Sequence, residues 1–122
     1  MSNTKEIGQK LVDLCRAGKN DEAMKTLYAK DIVSVEAGAP PGEDVTSHGI
    51  DACMKKGERF QGMHEIHAAT VEGPFPNGDK FAVFFDYDLT NKQASQRFHM
   101  KEVALYTVKD GKITREEFYY AM

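Results

Sequence analysis

The pattern of apolar and polar positions divides the chain into a helical N-terminal half and a C-terminal half of strands. From His64 onward apolar residues recur with a period of two, which is the spacing of half-buried strands. This pattern predicts strands over residues 64–73, 79–91, 96–108 and 112–120. The turn signals between them are Gly73-Pro74, Asn77-Gly78, residues 91–95 and Asp110-Gly111. Turns at this spacing indicate an antiparallel meander.

The N-terminal half begins with two predicted helices. Asn3 and Glu6 have the spacing of a capping box, and the apolar positions that follow recur at helical spacing until Gly18. Asn20 is placed to cap a second helix over residues 21–28.

A short strand, a long loop and a third helix complete this half. Residues 32–36 are rich in β-branched side chains, which favours a strand. Residues 37–48 contain Pro40, Pro41 and Gly42, and we expect them to form a surface loop that gates a site. The helical period resumes after Gly49. Helices first and a sheet last predict an α+β fold.

Composition and charge narrow the class of protein. The 122 residues, 41% of them hydrophobic, fit a single domain over residues 1–122. The net charge is −3, and Lys and Arg are scattered along the chain, so the sequence has no basic cluster that would bind the phosphates of a nucleic acid. The N-terminus lacks an apolar signal core, and no apolar run approaches the roughly 20 residues of a membrane span, so we expect a cytoplasmic protein. Cys15 and Cys53 are then reduced core thiols.

Glu102 stands on a predicted strand among apolar residues of the same face. Because strand side chains alternate, Met100, Ala104 and Tyr106 share that face. A carboxylate there is costly unless it is paired, protonated or facing a cavity, so Glu102 indicates a site and we expect its pKa to be raised. The alternative is an edge-strand glutamate that reaches solvent.

The strand over residues 79–91 has two contrasting faces. The odd-numbered face is apolar throughout: Phe81, Val83, Phe85, Tyr87 and Leu89. The even-numbered face contains Ala82, Phe84, Asp86 and Asp88. The pattern alone buries the odd-numbered face and leaves both aspartates in water.

The last strand has two possible registers. A two-residue turn at Asp110-Gly111 places Arg115, Glu117 and Tyr119 on the Glu102 face. A three-residue loop with Gly111 in the left-handed conformation selects Glu116, Phe118 and Tyr120 instead.

The histidines give no pattern for a metal site. His64 and His67 lie three apart on a strand, so they point to opposite faces and cannot chelate one ion together. His67 is either an acid/base partner in a pocket, since its intrinsic pKa is near neutrality, or a hydrogen-bonded residue of the sheet surface. The sequence also lacks a phosphate-binding loop and a nucleophilic serine motif.

Four stretches in their order resemble the nuclear-transport-factor-2-like superfamily, which holds the SnoaL-like polyketide cyclases and the ketosteroid isomerases. They are LYAKDIVSVEA, SHGIDACMKKGERF, GDKFAVFFDYDLT and MKEVALYTVKDGKITREEFYY, and the resemblance extends over about residues 7–120. It implies a cone-shaped, cystatin-like α+β barrel with N-terminal helices on a curved, mainly antiparallel sheet. It also implies a pocket between the concave face and the helices, and frequent dimerisation.

The resemblance carries some functional positions over to this sequence. In ketosteroid isomerases a carboxylate at the end of the first strand is the general base; counted from the Tyr-Ala-x-Asp sequence at residues 28–31, Glu36 falls at that position. The two positions that hold oxyanion donors in the same family are occupied here by Leu11 and Ala104. The position that holds an acid on the last strand of the SnoaL-like cyclases is occupied here by Phe118. The resemblance therefore supplies a base, and Tyr106, Tyr120 or a protonated Glu102 could replace the missing oxyanion donors.

The resemblance also implies which strand faces line the pocket. It places the even-numbered face of strand 79–91 inside, with Glu102 beside Phe84 or Asp86, and it favours the second register of the last strand. The predicted catalytic residues are Glu36, Glu102, Asp86 and His67. The predicted ligand-binding residues are Leu11, Ser34, Phe60, Phe84, Asp88, Met100, Tyr106, Glu116, Phe118 and Tyr120.

Two functions of different classes follow from this pocket. One is a cofactor-free isomerase, cyclase or hydratase-type enzyme that performs acid/base chemistry on a small apolar carbonyl compound. The other is a non-catalytic binding protein for an apolar or cationic ligand, in which Arg97 or Arg115 pairs with the acids. In both cases we expect a homodimer through the face that carries Phe85, Tyr87, Val103 and Leu105.

Overall fold

The computed structural model describes residues 3–121, in which three helices pack on one face of a six-stranded sheet. The helices are α1 (Thr4–Arg16), α2 (Asn20–Leu27) and α3 (Ile50–Met63). The strands are β1 (Tyr28–Val35), β2 (Thr46–His48), β3 (His64–Asn77), β4 (Lys80–Asn91), β5 (Gln96–Lys109) and β6 (Lys112–Tyr119). The predicted α+β class is confirmed. No helix within these residues is long and apolar enough to cross a lipid bilayer.

The sheet is mainly antiparallel, with the strand order β2-β1-β6-β5-β4-β3. Strands β3 to β6 form the predicted antiparallel meander, since each pairs with the next along the chain. Strand β1 joins the far side of β6 in parallel, with Ser34 opposite Glu116. This pairing brings the first and last strands of the chain side by side.

The core lies between the helices and the inner face of the sheet. The apolar stripe of α1 is fully buried at Leu11 and Val12 and packs mainly on β3. The odd-numbered face of β4 is also buried, with Phe81 and Val83 at 1% and 0% exposure. Removing a side chain of this size from water stabilises the fold by roughly 1.5–3 kcal/mol. The alternation along β4 therefore decides which side of the sheet receives the helices.

Several element boundaries differ from the predicted ones. Gly73-Pro74 does not end β3, because the register shifts at this point and the strand continues to Asn77. Residues 46–48 of the predicted loop form β2, which pairs with β1. Asn3 and Asn20 lie at the two helix starts but neither side chain forms a capping hydrogen bond, so the predicted capping box is wrong.

The hairpin between β5 and β6 combines a two-residue turn with a bulge. Asp110 and Gly111 both have positive φ, at 52° and 77°, as in a type I′ turn. The register then shifts by one residue between the pairs Val108↔Ile113 and Thr107↔Arg115, which leaves Thr114 without a partner strand residue. Beyond the bulge, Glu116 lies opposite Tyr106 on the inner face. The favoured face is confirmed, but a bulge rather than a three-residue loop selects it.

Candidate functional site

A cavity of about 400 Å³ lies between the helices and the inner face of the sheet. Its wall is mostly apolar and aromatic, with three glutamates and one lysine among the lining residues. The polar members are Asn20, Tyr28, Glu36, Lys56, Gln61, Tyr87, Glu102, Tyr106 and Glu116. A mostly apolar wall with a few converging polar groups is typical of a small-molecule site.

The cavity opens between the helices and β3. The exposed lining residues mark this opening: Gly18 follows α1, Gln61 belongs to α3, and Ile66 and Ala69 belong to β3. Among the described residues of segment 37–48, none lines the cavity. The expectation that this loop gates the site is therefore not supported by its position.

Glu102 reaches the cavity from the middle of β5. It lies opposite Phe85 on β4 and is only 7% exposed. No described side chain forms a hydrogen bond with its carboxyl group. Burial, followed by repulsion from Glu36 and Glu116, raises its pKa to about 8, although Lys56 acts in the opposite direction. Glu102 is therefore a neutral carboxylic acid at pH 7, as expected for an unpaired pocket acid.

Glu36 has the opposite environment at the end of β1. Lys56 Nζ donates to its Oε2 atom at 2.8 Å, and the Tyr120 hydroxyl donates to its Oε1 atom at 2.9 Å. The side chains of Lys56 and Glu36 are 22% and 25% exposed, so solvent reaches the pair only partly. Both oxygens of the Glu36 carboxyl group therefore have a hydrogen-bond donor.

Glu116 lies deeper, where β6 runs beside β1. It accepts a hydrogen bond from the Tyr28 hydroxyl and another from Ser34 Oγ at 2.6 Å. Ser34 in turn accepts a hydrogen bond from Lys56 at 2.5 Å. Burial still raises the pKa of Glu116, against the effect of these donors. A continuous chain of hydrogen bonds thus joins the two glutamates through Lys56 and Ser34.

Buried hydroxyl and thiol groups complete the wall as neutral groups. Burial and the nearby glutamates raise the pKa of Tyr28 and Tyr106 well above the ordinary value. Tyr106 stacks on Phe81 with ring centroids 4.8 Å apart. Burial likewise raises the pKa of the Cys53 thiol to about 11. Tyr106 is therefore a hydrogen-bond donor toward the cavity, and Cys53 is an apolar wall residue rather than a nucleophile.

The structure brings most of the predicted site residues together. Glu36 and Glu102 line the same cavity, and so do six predicted ligand-binding residues: Leu11, Phe60, Met100, Tyr106, Glu116 and Phe118. Ser34 and Tyr120 contact the site through their hydrogen bonds to Glu116 and Glu36. No group of metal-ligating side chains within residues 3–121 is arranged to hold an ion.

Four predicted site residues lie away from the cavity. The pairing of Phe85 with Glu102 joins odd positions of β4 to even positions of β5, so the even-numbered face of β4 points outward. Phe84, Asp86 and Asp88 are on that outer face, and the placement implied by the resemblance is wrong.

The three polar residues among these four, Asp86, Asp88 and His67, each have a hydrogen-bonding partner. Asp86 pairs with His99 at 2.9 Å, and Asp88 forms a two-pronged hydrogen-bonded pair with Arg97. His67 is exposed and bonded to Thr90, so it is the sheet-surface histidine of the alternative reading. These residues form ordinary surface contacts.

The predicted dimer face also mixes two sides of the sheet. Phe85 is buried in the core and Tyr87 lines the cavity, whereas Val103 is 39% exposed on the outer face. Val103 lies opposite Phe84 of β4 on one side and opposite Tyr119 of β6 on the other. Leu105, two residues further along β5, lies on the same outer face. We call these four residues the outer patch.

Two important site residues were missed in the sequence. Lys56 lies three residues after Cys53 and four before Phe60, so it shares their helix face. A charged residue on an apolar helix face is the same signal that drew attention to Glu102. Tyr28 stands at the junction between α2 and β1, where periodicity gives no direction for a side chain.

Comparisons with known proteins agree with this architecture. A family model described as a SnoaL-like domain matches residues 2–120. A solved structure from Mesorhizobium loti, described as a proposed SnoaL-like polyketide cyclase and a carbohydrate phosphatase, is 44% identical, with a TM-score of 0.90 over 98% of this chain and 100% of its own. Comparison with curated proteins returns no match.

Two more distant structures share the fold. A protein from Catenulispora acidiphila with a ketosteroid isomerase-like fold, in complex with trimethylamine, is 25% identical with a TM-score of 0.74, over 98% of this chain and 88% of its own. A protein from Xanthomonas campestris with a cystatin-like fold is 17% identical with a TM-score of 0.77, over 99% and 92%. The predicted cone-shaped α+β fold is confirmed.

Proposed function

Because the chain belongs to the SnoaL-like domain family, we propose that its cavity performs acid/base chemistry on a small, apolar carbonyl compound without a cofactor. The observation that carries this proposal is the contrast between two carboxyl groups of one cavity. Glu36 has an ammonium partner at 2.8 Å, whereas Glu102 has no hydrogen-bonding partner among the described side chains and a pKa raised to about 8. Two carboxyl groups with opposite environments can serve as base and acid at the same pH.

The proposed reaction starts with proton removal next to the carbonyl group. The Glu36 carboxylate accepts the α-proton, and the electrons of the C–H bond form an enolate. The neutral Glu102 carboxyl and the Tyr106 hydroxyl donate hydrogen bonds to the enolate oxygen, because both keep their protons at pH 7. Return of the proton to a different carbon gives an isomer, and attack of the enolate on a second carbonyl group of the same molecule gives a ring.

Exchange of α-protons in D₂O tests this chemistry without knowledge of the natural substrate. A panel of cyclic and polycyclic ketones is incubated with the protein, and loss of the α-proton signal is followed by NMR. We expect exchange with at least one ketone to exceed the rate in buffer. Glu36→Gln should slow it by about a hundredfold or more, and Glu102→Met by about a hundredfold.

Glu43→Gln is the matched control, because Glu43 is an exposed glutamate paired with Arg59 outside the cavity. Exchange in this variant should equal that of the parent protein. If ketones bind and none exchanges faster than in buffer, the protein is not an enzyme of this type.

A binding protein for an organic cation is the second candidate. Three glutamates and one lysine line the cavity, and aromatic rings surround them, which is a suitable environment for a substituted ammonium ion. The related Catenulispora acidiphila protein was solved in complex with trimethylamine. Calorimetric titration with trimethylamine separates the candidates: binding that weakens in Glu36→Gln, without proton exchange on ketones, supports the second.

We further propose that the protein is a homodimer assembled through the outer patch. This patch consists of Phe84, Val103, Leu105 and Tyr119, of which Val103 and Tyr119 are 39% and 51% exposed. Neighbouring apolar side chains on an open sheet face are a common mark of a protein contact. The opposite face of the same strands already holds the core and the cavity.

A further inference from the structure

The inner face of β5 leads in a straight line from the acid to the opening of the cavity. Glu102, Met100 and Phe98 are alternate residues of this strand, so their side chains share the inner face. Four residues of extended chain separate Glu102 from Phe98, which corresponds to about 13 Å. Glu102 is 7% exposed, whereas Phe98 is 37% exposed. The strand therefore runs from a buried polar point to an exposed apolar one.

Apolar and aromatic side chains surround Phe98 at the rim. Leu89, which is fully buried, is the cross-strand neighbour of Phe98 on one side and of Ile66 on the other. The His64 ring contacts both Phe60 and Phe98, with centroid distances of 4.5 and 6.3 Å. We call Phe60, His64, Ile66 and Phe98 the rim cluster.

The rim cluster continues the cavity rather than lying apart from it. Phe60 and Ile66 belong to the cavity wall and to the cluster at once. Ile66 is nevertheless 42% exposed, and Met63, three residues earlier at the end of α3, is 49% exposed. Because this apolar surface is continuous with the cavity wall, it can contact the part of a ligand that extends out of the cavity.

We propose that the rim cluster binds an apolar extension of the cavity ligand. The ligand is then an elongated amphiphile, with its polar group near Glu102 and its apolar body lying along Met100 and Phe98. This inference rests on the proposed function for the identity of the polar group only. The apolar part of the ligand is argued from the rim cluster alone.

A homologous series of ligands tests the proposal. Binding of n-alkyl methyl ketones from butanone to dodecanone is measured by calorimetry for the parent protein, Phe98→Ser and Phe75→Ser. We expect affinity of the parent to rise by about fourfold for each methylene that leaves water. In Phe98→Ser the short ketones should bind as in the parent, and the gain should stop for the long ones. Phe75→Ser is the matched control, because Phe75 is 59% exposed and does not line the cavity.

The same titrations with n-alkyltrimethylammonium ions keep the two proposals separate. If these ions, and not the ketones, show the chain-length effect and its loss in Phe98→Ser, the rim proposal holds and the carbonyl chemistry fails. The rim proposal is overturned if affinity rises equally with chain length in the parent and in Phe98→Ser. It is also overturned if neither series of ligands binds. Sedimentation tests whether a second copy of the chain occupies the rim cluster instead. If Phe98→Ser dissociates a dimer while ligand affinity is unchanged, the rim cluster is an interface between copies and the proposal fails.

Discussion

The Nζ atom of Lys56 lies 2.8 Å from Oε2 of Glu36, and Lys56 is the one lysine or arginine among the cavity-lining residues of segment 3–121. Three glutamates therefore share a single ammonium group. Lys56 lowers the pKa of both Glu102 and Glu116, whereas Glu36 raises the pKa of both.

Lys56→Met should destabilise the protein at neutral pH. The variant leaves Glu36 without its cation in a partly buried place, and we expect a loss of about 1–2 kcal/mol, between the values for exposed and buried pairs. Denaturant unfolding at pH 7 measures it, with Lys55→Met as control, because the neighbouring Lys55 is exposed. Equal unfolding free energies for the two variants would show that the ion pair contributes nothing.

Glu102→Gln should stabilise the protein at neutral pH. In the folded protein the pKa of Glu102 is about 8, above its ordinary value of 4.5, so the unfolded state loses this proton first as pH rises. The stability of the parent then falls by about 1.4 kcal/mol per pH unit between these two values. The variant lacks this loss, and its advantage should be small at pH 5 and larger at pH 7.

Glu117→Gln provides a control of opposite sign. Arg115 and Tyr119 donate hydrogen bonds to the Glu117 carboxylate and lower its pKa, so its stabilising effect is present at neutral pH and lost as pH falls through the folded pKa. This variant should lose stability at pH 7 and match the parent in acid. If Glu102→Gln behaved in the same way, Glu102 would be a structural ion-pair partner instead of a pocket acid.

Ser34→Ala and Tyr28→Phe should each destabilise the protein, and the two effects should not add. Both hydroxyl groups donate to the buried Glu116 carboxyl, so loss of either one leaves a polar atom short of a partner, at a cost of about 1–3 kcal/mol. Unfolding of both single variants and the double variant gives the coupling energy. If the losses of unfolding free energy add, the two hydroxyl groups do not act together on Glu116.

Val103→Lys should convert the proposed dimer into a monomer. The substitution places two like charges in a symmetric contact through the outer patch, because Val103 lies between Phe84 and Tyr119. Sedimentation at micromolar concentration measures the mass, with Val45→Lys as control, since Val45 is 36% exposed outside the patch. A parent protein that sediments at 13.7 kDa would contradict the dimer.

Alternation along the strands predicted most of the inner surface of the sheet. It placed Met100, Glu102, Ala104 and Tyr106 on one face, and the burial of Glu102, Ala104 and Tyr106 agrees with it. It also buried the odd-numbered face of β4. The resemblance gave the opposite face, because it placed Phe84 or Asp86 beside Glu102, where the structure has Phe85. A register error of one residue exchanges the two faces of a strand.

Contacts between distant elements were beyond the sequence. The ion pair between Lys56 and Glu36 depends on how α3 lies across the end of β1, and no local pattern encodes that angle. The hydrogen bond from Tyr28 to Glu116 joins residues 88 positions apart. Such pairs require the parallel association of β1 with β6, which appears only once the chain is folded.

The bulge at Thr114 determines how the hairpin responds to insertions and deletions. Thr114 is unpaired between Ile113 and Arg115, so its deletion would let the ladder close while Glu116 stays opposite Tyr106. Loss of a residue from the turn at Asp110-Gly111 would instead move β6 by one position and place Glu117, in place of Glu116, opposite Tyr106. Among homologous chains, length changes should therefore be tolerated at Thr114 and be rare in the neighbouring turn.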